Sequence, residues 1–193
     1  MLIARILAVA AILSAVAAAP AAAQAQQQTQ QQPQAAPAQP APAMRGEDPK
    51  FIQFAGGWFD MNRQKNQAAE FRVEYHHDER YWIFKPIAGV MATSDNATYI
   101  YAGVKIDVYL GNRWVLTPSF APGWYRRGHG LDLGYALEFR SQLDLAYRFD
   151  DRSRLGISFG HMSNASIGDT NPGTESLMLN YSVPLGNFER LFR

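Results

Sequence analysis

The chain has 193 residues, 47% of them hydrophobic and 12% aromatic, with a formal net charge of +1 and no cysteine. Lack of cysteine removes disulfides, thiolate-built zinc sites and a cysteine nucleophile, and the near-neutral charge argues against a nucleic-acid partner, which a basic excess usually marks. A mean hydropathy of −0.25, with a single long apolar run at the N-terminus, excludes a bundle of membrane-spanning helices.

That run opens the chain. Met1 to Ala19 holds one cation, Arg5, followed by apolar residues from Ile6 to Ala19 and by Ala-x-Ala sites at Ala21-Ala22-Ala23 and Ala23-Gln24-Ala25. The pattern predicts a secretory signal peptide over 1–25, cleaved after Ala23 or Ala25. It is shorter than the roughly 20 apolar residues that a membrane anchor needs. Gln26 to Ala43 contains only Gln, Ala, Pro and one Thr, a composition with nothing to bury, so 26–45 reads as a disordered spacer. Residues 46–193 remain for folding, enough for one core.

Beyond Asp48 the apolar period is two, in segments of about 10 residues, which is the strand signal. Eight segments are predicted. The first covers 51–60. The second sets Phe71, Val73 and Tyr75 against Glu70, Arg72, Glu74 and His76, and the third covers 81–92. The fourth sets Ile100, Val104, Ile106, Val108 and Leu110 against Lys105 and Asp107, and the fifth covers 113–122. The sixth, from Gly134 to Phe149, is the clearest: Leu137, Phe139, Leu143, Leu145, Tyr147 and Phe149 share one face, and Glu138, Arg140, Gln142, Asp144 and Arg148 the other. The last two cover 154–163 and 175–184.

Such alternation fits a soluble barrel with an apolar interior, or a membrane barrel with a polar one. The connections separate the two. With a periplasmic N-terminus, the periplasmic turns fall at about 77–80, 111–112 and 150–153, and the external loops at 61–67, 93–96, 123–133 and 164–174. Short turns alternating with longer loops favour the eight-stranded outer-membrane barrel. Trp58, Tyr81, Trp82, Trp114, Trp124 and Tyr125 near strand ends suit aromatic girdles, and the charged inward faces would pair within a lumen too narrow for a pore. Pro86 and Pro118 conflict with a closed barrel, which has no edge to hide a missing donor, and predict bulges or displaced boundaries.

The seventh and eighth segments carry polar residues on the lipid-facing parity. Leu155, Ile157 and Phe159 are followed on that face by His161 and Ser163, and Glu175 begins the row of Leu177, Leu179, Tyr181 and Val183. A polar group facing lipid costs up to a few kcal/mol, so the placement calls for a function. An imidazole two residues from a hydroxyl, with a carboxylate on the neighbouring strand, has the components of nucleophilic catalysis: Ser163 attacks, His161 takes its proton and Glu175 orients the ring. The same three residues can equally mark a strand end at the interface.

The stretch His161-Met-Ser-Asn-Ala-Ser166, with Asn171-Pro-Gly-Thr-Glu175 and Tyr181-Ser-Val-Pro184, resembles the outer-membrane lipid A 3-O-deacylase family (PagL), most strongly from Leu137 to Leu185. The resemblance implies an all-β, eight-stranded antiparallel transmembrane barrel in the outer membrane that acts on lipid A of lipopolysaccharide in the outer leaflet. The implied reaction is hydrolysis of the 3-O-linked acyl ester, releasing a 3-hydroxy fatty acid, with neither metal nor other cofactor. The resemblance implies Ser163 as nucleophile, His161 as base and Glu175 as its orienting acid. It further implies Asn171 and a backbone N–H near Ser166 at the oxyanion, with Asn164 in the same motif; some family members are expected to have Gly at 166. A homodimer is one oligomeric state compatible with it.

Around this core, Phe159, Leu177 and Leu179 are expected to form an acyl groove, Arg126, Arg127 and His129 are candidates for lipid A phosphates, and Asp169 is an alternative acid to Glu175. His76 and His77 are assigned no site role. Two other functions fit the pattern: a non-enzymatic structural or adhesive outer-membrane barrel, and a soluble periplasmic lipid-binding barrel of the lipocalin kind. Phe192 is penultimate, whereas outer-membrane proteins commonly end on the aromatic itself.

Overall fold

The computed structural model of the chain describes residues 48–190; the signal peptide and spacer expected over 1–45 lie outside them. Strands β1 (Phe51–Phe59), β2 (Ala68–His76), β3 (Lys85–Thr93), β4 (Thr98–Lys105), β5 (Val108–Leu110), β6 (Trp114–Arg126), β7 (Leu137–Arg148), β8 (Arg154–Ser163) and β9 (Thr174–Pro184) precede a short helix α1 (Leu185–Arg190). Pairing is antiparallel between neighbours; β1 pairs with β9 and β4 with β6, so the sheet closes on itself. β4 and β5 face β6 in one continuous register, Lys105↔Ser119 and then Val108↔Leu116. They are two halves of one strand, and the barrel is eight-stranded.

The direction of each side chain reveals the solvent. On β2, Glu70, Arg72, Glu74 and His76 are buried while Phe71 is 61% exposed; on β7, Glu138, Arg140, Gln142, Asp144 and Arg148 are buried while Leu143 and Leu145 point out. Buried Glu70 pairs with Arg72, Glu74 with Arg140, Asp48 with Arg148 and Arg154, and Asp107 with Arg154, Lys105 and Lys85. A soluble barrel needs the reverse polarity, with an apolar interior, so the lipocalin-type alternative is excluded and the fold is a transmembrane barrel.

The lumen is packed. In mid-barrel Glu74 accepts from Tyr101 Oη at 2.6 Å, lies 2.6 Å from His76 Nε2 and pairs with Arg140, whose guanidinium stacks 4.1 Å from the centre of the Tyr101 ring. Towards the turn end, Asp48 meets Arg148 and Arg154, and Asp107 lies 3.1 to 3.3 Å from Arg154, Lys105 and Lys85. Towards the loop end an apolar cluster including Phe59, Met91, Tyr99, Tyr125, Leu133 and Met162 fills the interior.

The structure differs from the sequence reading at several points. β3 starts at Lys85, not 81, so the connection 77–84 is longer than a brief turn; Tyr81 and Phe84 close it with reciprocal backbone bonds of 2.8 and 3.1 Å. Pro86 is accordingly the second residue of its strand, where a missing donor costs little. Pro118 produces no bulge. The β4–β6 register is unchanged across the barrel, and the rungs that drop out of the ladder are those at Thr117–Pro118 and Ala121–Pro122, each beside a proline with no N–H to give. Tyr125 belongs to no girdle: it is 4% exposed and donates inward to Leu131 O at 2.8 Å. Trp58 and Trp124 at the loop end, and Tyr81, Trp82 and Trp114 at the turn end, are exposed as expected of the two aromatic bands. β6 runs on to Arg126, and α1 carried no strand-like or helical signal strong enough to be anticipated.

Removing one partner of a buried pair leaves a charge uncompensated. Arg140→Met should therefore lower stability by about 3–5 kcal/mol. Glu138 behaves oppositely. Both of its carboxylate oxygens are buried without a hydrogen-bond partner, so Glu138→Gln removes charge without stranding a counter-ion and should be neutral or stabilising. Urea titrations of the refolded barrel, followed by tryptophan fluorescence, distinguish the two outcomes.

Candidate active site on the outer wall of the barrel

β8 and β9 pair so that His161 stands directly across from Glu175. Both occupy the outward parity, because side chains on a strand alternate between faces and the flanking Gly160, Met162 and Ser176 are turned inward. His161 Nδ1 lies 3.1 Å from Glu175 Oε1; the imidazole is 47% exposed and the carboxylate 15%. Glu175 Oε2 is buried without a partner, so among the described residues the imidazole is the one polar group that the carboxylate engages. The Glu175 backbone is held from the other side as well, its carbonyl accepting from Met61 N at 3.0 Å. With Nδ1 directed at the carboxylate, the opposite ring nitrogen, Nε2, is left for a proton donor.

Ser163 ends β8 on the same outward parity, two residues beyond His161, and is half-buried. No hydrogen bond joins Ser163 to His161 among the described residues. Such contacts are commonly long in a free enzyme and tighten only with substrate in place. Asp169, the alternative acid, is exposed in the loop and has no contact with the imidazole; Glu175 occupies that position instead.

The loop 164–173 is organised by Asn164, which is fully buried. Its Nδ2 donates to Leu133 O at 2.8 Å and to Thr170 O at 2.7 Å, its Oδ1 accepts from Ser166 N at 2.9 Å, its backbone N donates to Asn171 Oδ1 at 3.1 Å, and its carbonyl accepts from Ile167 N at 3.1 Å. Every polar group of Asn164 is thus engaged within the protein. Asn171 is exposed and, with its Oδ1 fixed by Asn164, presents Nδ2 outward, 3.4 Å from Ser166 Oγ. Ser166 has φ +62° and Ala165 φ +53°. A glycine reaches that left-handed region at no steric cost, which accounts for the expectation of Gly at 166 in some relatives.

Other sequence candidates fall into place around these. Phe159 pairs with Leu177 and Ile157 with Leu179, giving successive outward apolar rungs directly below His161 and Glu175. Of the three loop cations, Arg127 pairs with Asp132 at 2.6 Å and His129 contacts Asn96 at 3.4 Å, whereas Arg126 is exposed with no partner among the described residues. His76 is a lumen residue bound to Glu74, and His77 lies in the 77–84 connection beside Asp78. Among the described residues no group of three His, Asp or Glu side chains is placed to hold a metal ion.

Three contributions were not foreseen from sequence: the backbone of Met61 behind Glu175, the carbonyl of Leu133 beneath Asn164, and Gly173, which is buried against the imidazole. The Pro-Gly step before Glu175 was the available signal for the last of them. The first two depend on loops distant in sequence and leave no local pattern.

The family model for lipid A 3-O-deacylase (PagL) matches residues 51–184. Among solved structures the chain is similar to the crystal structure of the outer membrane enzyme PagL, with a TM-score of 0.56 and 18% identity over 69% of this chain and 99% of that one. It is also similar to a structure from de novo design of transmembrane beta-barrels, with a TM-score of 0.51 and 7% identity over 72% of this chain and 98% of the other. At these identities the structural likeness concerns the fold. No curated protein matches the chain. The family match spans the whole barrel from β1 to β9, with the paired His161 and Glu175 inside it, and the chain belongs to the lipid A 3-O-deacylase (PagL) family of outer-membrane ester hydrolases.

Proposed function

We propose that the chain hydrolyses the 3-O-linked acyl ester of lipid A through Ser163, His161 and Glu175. The observation that carries this reading is the outward His161–Glu175 pair at 3.1 Å on a wall whose outward residues are mostly apolar. A polar pair facing lipid is disfavoured unless it works on something that arrives from the lipid side. Lipid A does, since its acyl chains lie in the outer leaflet while its sugar sits at the level of the loops.

In this scheme Ser163 Oγ attacks the ester carbonyl as its proton passes to His161 Nε2, and Glu175 stabilises the resulting imidazolium through Nδ1. The tetrahedral oxyanion receives the outward Nδ2 of Asn171. Collapse expels the sugar 3-hydroxyl, which takes the proton from His161 and leaves an acyl ester on Ser163. A water molecule, deprotonated by His161, then releases the 3-hydroxy fatty acid and regenerates the serine. Asn164 contributes by fixing Asn171 Oδ1 and the Ser166 N–H, since its own side chain has no donor left for the oxyanion. The Phe159–Leu177 and Ile157–Leu179 rungs continue from the pair towards the bilayer interior and suit the acyl chain. Arg126 suits a phosphate on the sugar.

Mass spectrometry of lipid A from cells expressing the protein should show loss of one 3-hydroxyacyl chain, and Ser163→Ala should abolish that loss. Continued deacylation by the Ser163→Ala protein would overturn the assignment. Asn171→Ala should lower kcat by about 10²–10³-fold, as removal of one oxyanion donor does, while KM for the lipid stays near the wild-type value in a mixed-micelle assay.

A further inference from the structure

The β8–β9 register places His161 across from Glu175 and Met162 across from Thr174. The ladder ends at that rung. Ser163 closes β8 one residue beyond it, and Gly173 immediately precedes β9. Gly173 is buried although it has no side chain.

Its surroundings explain the burial. A Cβ at residue 173 would lie 3.0 Å from His161 Cε1 and 3.6 Å from His161 Nε2, with Met162 O at 3.5 Å. The edge of the imidazole bearing Cε1 and Nε2 therefore rests on the bare backbone of this residue. The 3.0 Å approach is tighter than an ordinary carbon–carbon contact of about 3.5–4.0 Å, so any side chain here forces the ring or the loop to move. Gly173 also has φ +64°, a conformation that a glycine adopts freely and most other residues do not. Two independent features of one position, its dihedral and the space beside it, thus favour the absence of a side chain.

The geometry points to Gly173 as a positioning residue for His161. Its missing Cβ leaves the space into which the imidazole leans, with Nδ1 on Glu175 and the Cε1–Nε2 edge over residue 173. The inference rests on the reading of His161 as the base that serves Ser163. Gly173 touches no reacting atom in this scheme; it sets the ring position from which the proton is transferred.

Two variants separate the space from the dihedral. Asn tolerates positive φ far better than Ala does, yet both carry a Cβ. If the space beside the imidazole matters, Gly173→Ala and Gly173→Asn both lose kcat, by about tenfold, less than the roughly 10²-fold that a 1 Å misplacement can cost, with KM within about twofold of wild type. Wild-type kcat in Gly173→Asn would overturn the proposal by reducing the requirement to backbone conformation, and wild-type kcat in Gly173→Ala would overturn it outright. Retention of the heat-modifiable electrophoretic band confirms that each full-length variant has folded; if the Ala variant does not fold, the Asn variant supplies the same comparison.

A second readout does not depend on turnover. In ¹⁵N-histidine-labelled protein in detergent micelles, with His161 assigned by its loss in His161→Ala, the Gly173 variants should shift the His161 ring resonances and leave those of His76 in place. Unmoved His161 resonances would overturn the inference. Failure of the underlying reading has a different signature: His161→Ala and Ser163→Ala would both keep wild-type activity, whatever the Gly173 variants do.

Discussion

The structure depends on the closure of one ladder. In hydrocarbon no water can satisfy a strand's N–H and C=O groups, so a sheet survives there only if its first and last strands pair. In this chain β1 and β9 make that closing pair, and the β4–β6 ladder is the one into which the sequence puts Pro118 and Pro122. The ladder loses rungs opposite both prolines but keeps its register, and Ile106 N still reaches Pro118 O at 3.0 Å. Because the register survives, the alternation of inward and outward residues continues uninterrupted around the barrel. Each buried charge then faces the lumen, and each outward residue faces lipid.

The site is a consequence of this alternation. Strands of fixed parity convert spacing in the sequence into position on a wall, so His161 and Ser163 are outward together, and Glu175 joins them because the 164–173 loop returns the chain in the matching register. The wall itself is rigid, built of paired backbone and supported by the packed interior. The loop supplies the groups that a strand cannot present, such as Asn171. It is in turn tied to the preceding external loop, since Asn164 reaches Leu133 O and Gly134, at φ +87°, leaves room for Thr170. The placement of the candidate site residues is thus inherited from the sheet and the buried asparagine.

Much of this was legible in the residues because a period of two is strict. The faces of β2, β7 and β8 could be read directly, and Glu175 could be placed beside His161 from parity alone. The failures came where local pattern and tertiary structure part company. Tyr125 lies next to Trp124 near a strand end, where girdle residues are expected, yet β6 extends past 122 and places these adjacent residues on opposite faces, so its ring turns inward to the carbonyl of Leu131. Residues 81–84 look like a strand but are occupied by a tight turn. The engagement of Asn164 was illegible, because one of its partners lies 31 residues away in a loop with no regular structure. Residue 173 shows the same limit: a glycine after a proline suggests a turn, and only the folded chain reveals that an imidazole lies against it.

The ionic filling of the lumen also bears on the membrane that holds the protein. A barrel spanning the bilayer is a potential leak, and the outer membrane is valued by the cell as a barrier. With Arg140 stacked on Tyr101, Asp48 and Asp107 bridging the base and aromatic residues at the top, side chains fill this interior. A filled lumen of this kind is what lets an eight-stranded barrel cross a bilayer without opening a water-filled channel through it.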